Sequence, residues 1–93
     1  MKYKIIVEPE AVVDLQNIYK YILEQDSQNK ALTFISQLKH SIKSLEEMPY
    51  RCRQSHYIDD KDVRDLIYKK YTVVFKVIDS SIHILTIFRQ RAF

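Results

Sequence analysis

Beyond residue 10 the apolar residues change their spacing once, and that change limits the folds open to the chain. Up to residue 45 they recur every three or four positions: Val12, Leu15, Ile18, Tyr19, Ile22 and Leu23 form one set, and Ala31, Phe34, Ile35, Leu38, Ile42 and Leu45 a second. That spacing puts each set on one face of a helix. From Val63 onward the runs are short, β-branched and aromatic, in Val63–Tyr68, Tyr71–Ile78 and Ile82–Phe88, which is the signature of strands. Helices followed by strands predict an α+β fold, with a helical hairpin covering one face of a mostly antiparallel sheet.

The punctuation fits this order. Met1–Val7 alternates, with Tyr3, Ile5 and Val7 on one face, and predicts a first strand. Glu8-Pro9-Glu10 reads as a helix entry, since proline tolerates the first turn and acids complement the helix dipole. The first helix is expected to end near Gln25, with Asp14, Gln16, Asn17, Lys20 and Glu24 outside; Asp26-Ser27-Gln28-Asn29 supplies turn and capping residues. Met48-Pro49 is expected to close the second helix, and residues 50–62 to form a polar loop. Lys69-Lys70 and Asp79-Ser80-Ser81 are short enough for hairpins, although a chain without glycine leaves their turn types open. The expected order is β-α-α-β-β-β in a single domain, residues 1–93.

Composition bounds the function classes. With 93 residues, 46% of them hydrophobic, the chain builds one modest core and no second domain. Residues 1–50 carry six lysines against seven acids, whereas residues 51–93 carry nine lysines or arginines against five acids, so the basic excess lies in the second half. That asymmetry suits an acidic partner or a polyanion. Cys52 is the only cysteine, which excludes an internal disulfide. No run approaches the length of a membrane span, and three scattered histidines offer no metal-ligand spacing. The chain is expected to be cytoplasmic, without metal or membrane.

Taken together, Glu8-Pro9-Glu10-Ala11 leading into Asp14-Leu15 and Ile18, Met48-Pro49, Val63-Arg64-Asp65-Leu66 before Tyr71-Thr72-Val73-Val74-Phe75, and Ile82–Ile87 followed by Arg89 carry a family likeness. In that order they resemble the RelE/ParE superfamily, toxins of bacterial type II toxin–antitoxin pairs, over nearly the whole chain. The resemblance implies a growth-inhibiting toxin neutralised by a cognate acidic antitoxin that wraps its helix and sheet surfaces. It implies one of two targets, mRNA in the ribosomal A site or DNA gyrase, and no cofactor.

RNA cleavage needs a base for the 2′-hydroxyl proton, cations for the charged transition state and an acid for the leaving oxygen. Arg64 and Arg89 resemble phosphate-contacting residues of the ribonuclease branch, with Arg91 beside them. The His or Tyr at the end of that branch has no equivalent in Arg89-Gln90-Arg91-Ala92-Phe93. His83 lies too far up its strand, His56 is a lone loop histidine, and Glu46 and Glu47 read as surface carboxylates. Cys52 lies between Arg51 and Arg53, which are expected to lower its thiol pKa, but it lacks a catalytic partner. Two helices of four to five turns resemble the gyrase-directed branch. The reading is therefore a ParE-like gyrase inhibitor. The alternatives are a RelE-like ribosome-dependent mRNA endonuclease and a degenerate antitoxin-binding domain, so enzymatic activity stays open. Arg51, Arg53, Lys69, Lys70, Arg89, Arg91 and Phe93 are the candidate target- or antitoxin-binding residues. Tyr68, Tyr71, Phe75 and Phe88 are assigned to packing rather than base stacking.

Overall fold

A computed structural model describes residues 2–90. Strand β1 (Lys4–Val7) leads into α1 (Pro9–Gln25) and α2 (Gln28–Lys43), then two 3-10 turns (Ser44–Glu46 and Pro49–Arg51), β2 (Arg53–Gln54), β3 (Val63–Tyr68), β4 (Tyr71–Ile78) and β5 (Ser81–Arg89). Pro9 occupies the first turn of α1, where its missing N–H costs nothing. The Ser27 hydroxyl accepts the Lys30 N–H at 3.2 Å and starts α2, a cap worth about 1 kcal/mol. Proline does not end α2, contrary to expectation. The helix stops at Lys43, and the chain tightens into a 3-10 turn that still buries Leu45. Pro49 instead opens the second turn.

The sheet order is β1-β5-β4-β3-β2, with β1 parallel to β5 and every other pair antiparallel. It has five strands where the sequence predicts four. The extra one, β2, pairs Arg53 with Asp65 and Gln54 with Arg64; both its residues are exposed, so it carries no apolar alternation. Tyr68 faces Tyr71 and Ile78 faces Ser81, leaving two-residue turns. Their first residues, Lys69 and Asp79, take φ of 54° and 53°. Glycine enters that region freely, whereas an L-residue with a side chain loses about 1 kcal/mol there.

One sheet face meets the helices. Tyr71, Val73, Phe75 and Val77 of β4 and Ile82, Ile84 and Ile87 of β5 pack against Ala11, Ile18, Leu38, Ile42 and Leu45. Phe75 is fully buried there, and trimming it to alanine would cost about 3–5 kcal/mol. On α1 the buried face is centred on Ala11 and Ile18 with Leu15 and Ile22 beside them, and Val12 and Leu23 fall outside it and are exposed, against expectation. Tyr3 and Ile5 pack on the core, while Val7 is exposed at the sheet edge.

The β4–β5 register slips between Val74, opposite Thr86, and Phe75, opposite Ile84, so Leu85 is the extra residue of a bulge. Asp14 answers it. Its Oδ2 accepts the Ile87 N–H at 2.9 Å and the Thr86 hydroxyl at 2.8 Å, pinning α1 to β5. Asp14 therefore does not lie on a purely solvated face. The segment read as a loop folds over the other sheet face. There Tyr57 meets Phe88 edge-on at 5.0 Å, the His56 N–H donates to Asp65 at 3.1 Å, and Lys76 pairs with Asp60 at 3.1 Å. This strap accounts for the burial of Thr72, Val74 and Asp65 on the face away from the helices.

Candidate functional site

Three separate segments meet at one end of the molecule. The β3–β4 turn brings Lys69 and Lys70, the end of β5 brings Arg89 through its pairing with Tyr71, and the helical hairpin brings Tyr21, Ile22 and Phe34. Between them lies a cleft of ≈ 630 Å³. Phe34 and Tyr71 pack at 5.3 Å on its apolar side. The Lys69 ammonium stands 5.7 Å from the centre of the Phe34 ring and 5.5 Å from that of Tyr68, a cation–π arrangement. Arg89 donates to the Tyr21 hydroxyl at 3.0 Å and lies 5.7 Å from the centre of that ring. Burial pushes the Tyr71 hydroxyl pKa up, against the opposing pull of Arg89. Lys30 is matched by Asp26 at 3.2 Å; Lys69, Lys70 and Arg89 have no carboxylate within 4.0 Å among the described residues.

A second cluster lies at the far end of β3. Arg64 donates to the carbonyls of Lys61 at 3.2 Å and Cys52 at 3.3 Å, and its guanidinium lies 4.9 Å from the centre of the Tyr50 ring. Arg51 donates to the Ser44 hydroxyl at 2.6 Å, and Arg53 pairs with the buried Asp65 at 3.3 Å. Tyr50 donates to Asp62 at 2.9 Å; burial first, then that hydrogen bond, raises its pKa. Cys52 departs from expectation. Burial pushes its thiol pKa up and outweighs the opposing effects of Arg51 and Arg64.

The sheet register separates the two arginines considered for RNA chemistry. Arg64 faces Phe75 and Arg89 faces Tyr71, on opposite sides of β4. Four residues along the strand and two strand spacings across put their backbones about 16 Å apart. Their side chains turn to different partners, Arg64 to the strap and Arg89 to α1. His83 sits half-buried against Glu8, 2.8 Å from its carboxylate, and His56 is exposed on the strap. Glu46 accepts the Tyr3 N–H at 2.9 Å through its backbone carbonyl, and Glu47 is exposed. Arg91 and Phe93 lie outside the described residues. Among the described residues no three His, Cys, Asp or Glu side chains group as metal ligands, and no helix is long and apolar enough to cross a membrane. Neither Tyr21 nor Phe34 is legible as a cleft residue in the sequence: Phe34 falls within the apolar stripe of α2, and Tyr21 lies outside that of α1.

The family model for the ParE toxin of type II toxin–antitoxin systems matches residues 5–92. The chain belongs to the ParE toxin family. The fold of this ParE toxin is also that of a chain in the chromosomal ParDE toxin–antitoxin system of P. aeruginosa, at TM-score 0.83 and 22% identity, covering 97% of this chain and 98% of that one. A chain of the RelBE2 toxin–antitoxin complex from Mycobacterium tuberculosis is similar at TM-score 0.66 and 15% identity, over 98% of this chain and 100% of that one. No curated protein matches the sequence significantly.

Proposed function

We propose that this ParE toxin inhibits DNA gyrase and is held inactive by an acidic antitoxin whose amphipathic segment lies in the cleft beside Lys69, Lys70 and Arg89. The observation that carries the gyrase reading is the divergence of Arg64 and Arg89. Phosphodiester cleavage needs cations, a base and an acid around one phosphate. Two arginines about 16 Å apart at the backbone do not supply that convergence. The antitoxin reading rests on charge and shape: an apolar wall of Phe34, Tyr71 and Ile22 faces three cations that have no carboxylate partner among the described residues. An acidic amphipathic helix complements both, and its charge speeds association. Both partners place the toxin's action in the cytoplasm.

The test is a gyrase supercoiling assay run beside a ribosome-programmed mRNA cleavage assay, with purified toxin in each. Gyrase is expected to lose supercoiling activity and to regain it when the antitoxin is added, with the mRNA intact. Unchanged supercoiling together with cut mRNA overturns the reading.

A further inference from the structure

We infer that the same cleft is a nucleotide site, taking a nucleoside polyphosphate with its base against Phe34 and Tyr21 and its phosphates among Lys69, Lys70 and Arg89. The volume of ≈ 630 Å³ lies within the range of small-molecule sites. The lining divides as a nucleotide does. Ring surface comes from the helices, where Tyr21 is 45% exposed, and positive charge comes from the β3–β4 turn and the end of β5. Such rings stack on any base, because every base presents a π-face. Lys69 and Arg89 are held by rings, and neither they nor Lys70 has a carboxylate partner among the described residues, so an entering phosphate displaces no ion pair there. Charge-assisted hydrogen bonds from the lysines, and from the Arg89 donors not given to Tyr21, are then available. Gln37 lines the same cleft and accepts from Tyr68 through Oε1 at 3.0 Å, which leaves its amide N–H groups free to donate to a base edge. Lys69 and Arg89, already positioned by their ring contacts, lose little entropy when the ligand arrives.

Isothermal titration of the full chain with ATP, GTP, adenosine and inorganic tripolyphosphate tests this, with saturation-transfer NMR locating the contact. A nucleoside triphosphate is expected to bind at least tenfold more tightly than adenosine or tripolyphosphate, with transfer to the base protons. Thr33→Trp, on the exposed face of α2 at the cleft, and Lys70→Glu are each expected to weaken it at least tenfold with unchanged Tm. Tripolyphosphate binding as tightly as ATP would show a charge effect without a base site. Full binding by both variants would place the ligand elsewhere, and no heat from any nucleotide at about 5 mM would leave no site; each of these outcomes overturns the inference. The measurement needs neither antitoxin nor gyrase, so its failure leaves the proposed function standing.

Discussion

Arg53→Ala is expected to be among the costliest single substitutions outside the core, although the residue is exposed. Its guanidinium reaches Oδ2 of Asp65 with Nε and Nη2, both at 3.3 Å, across the β2–β3 pair. The Asp65 side chain is 0% exposed, its Oδ1 has no partner among the described residues, and its other support is the His56 N–H at 3.1 Å. Deleting one member of a buried ion pair strands the other charge, at about 3–5 kcal/mol. Arg53 is 38% exposed, so solvent already screens part of the attraction. The expected loss falls to about 2–3 kcal/mol. For a domain of this size that lowers Tm by about 10–20 °C. Replacing both residues, Arg53→Met with Asp65→Leu, removes the stranded charge and is expected to cost less than about 1 kcal/mol. Urea unfolding followed by far-UV circular dichroism at neutral pH measures each variant and completes the cycle. A loss below about 0.5 kcal/mol for Arg53→Ala, or a double variant as unstable as the single, would refute the argument. The result also bears on function, because an inactive Arg53→Ala toxin that is half-unfolded says nothing about target contact.

Asp14→Ala removes the acceptor of the Ile87 N–H and the Thr86 hydroxyl at the bulge, and urea unfolding is expected to show a loss of about 2–3 kcal/mol; a neutral change would mean that water replaces the carboxylate. Asp60 has its pKa lowered from 3.8, first by the Asp62 N–H and then by Lys76. Its folded form therefore holds its proton less tightly, so its contribution is present above the unfolded pKa and is lost as pH falls through the folded one. Asp60→Asn should accordingly be less stable than the parent near pH 6, with the gap closing as pH falls through the folded pKa, and a gap that stays constant as the pH is lowered contradicts the assignment. Burial raises the Cys52 thiol pKa, so alkylation by iodoacetamide at about pH 8 should run at least tenfold slower in the native chain than in urea; equal rates would place the thiol in solvent.

The helices and the three long strands were legible because burial imposes a period on sequence. Ala31, Leu38, Ile42 and Leu45 are all buried, and Leu45 keeps the period even where the helix has given way to a 3-10 turn. Strand β2 was not legible, since two exposed polar residues paired at a sheet edge leave no pattern. Asp14 looked like a solvated carboxylate because its role depends on the Ile87 N–H beside the bulge, 73 residues away along the chain. The cleft was half legible. Its cations stood out as charges, but the β4–β5 register decides that Arg89 reaches Tyr21 and that Arg64 ends far from it. Nor did any glycine mark the positive φ at Lys69 that shapes the turn.

Pulse-labelling of DNA and protein synthesis in the minutes after induction separates gyrase inhibition from ribosome-dependent mRNA cleavage. Thymidine incorporation is expected to fall first while amino-acid incorporation continues. Amino-acid incorporation falling first, with DNA synthesis intact, would contradict gyrase inhibition.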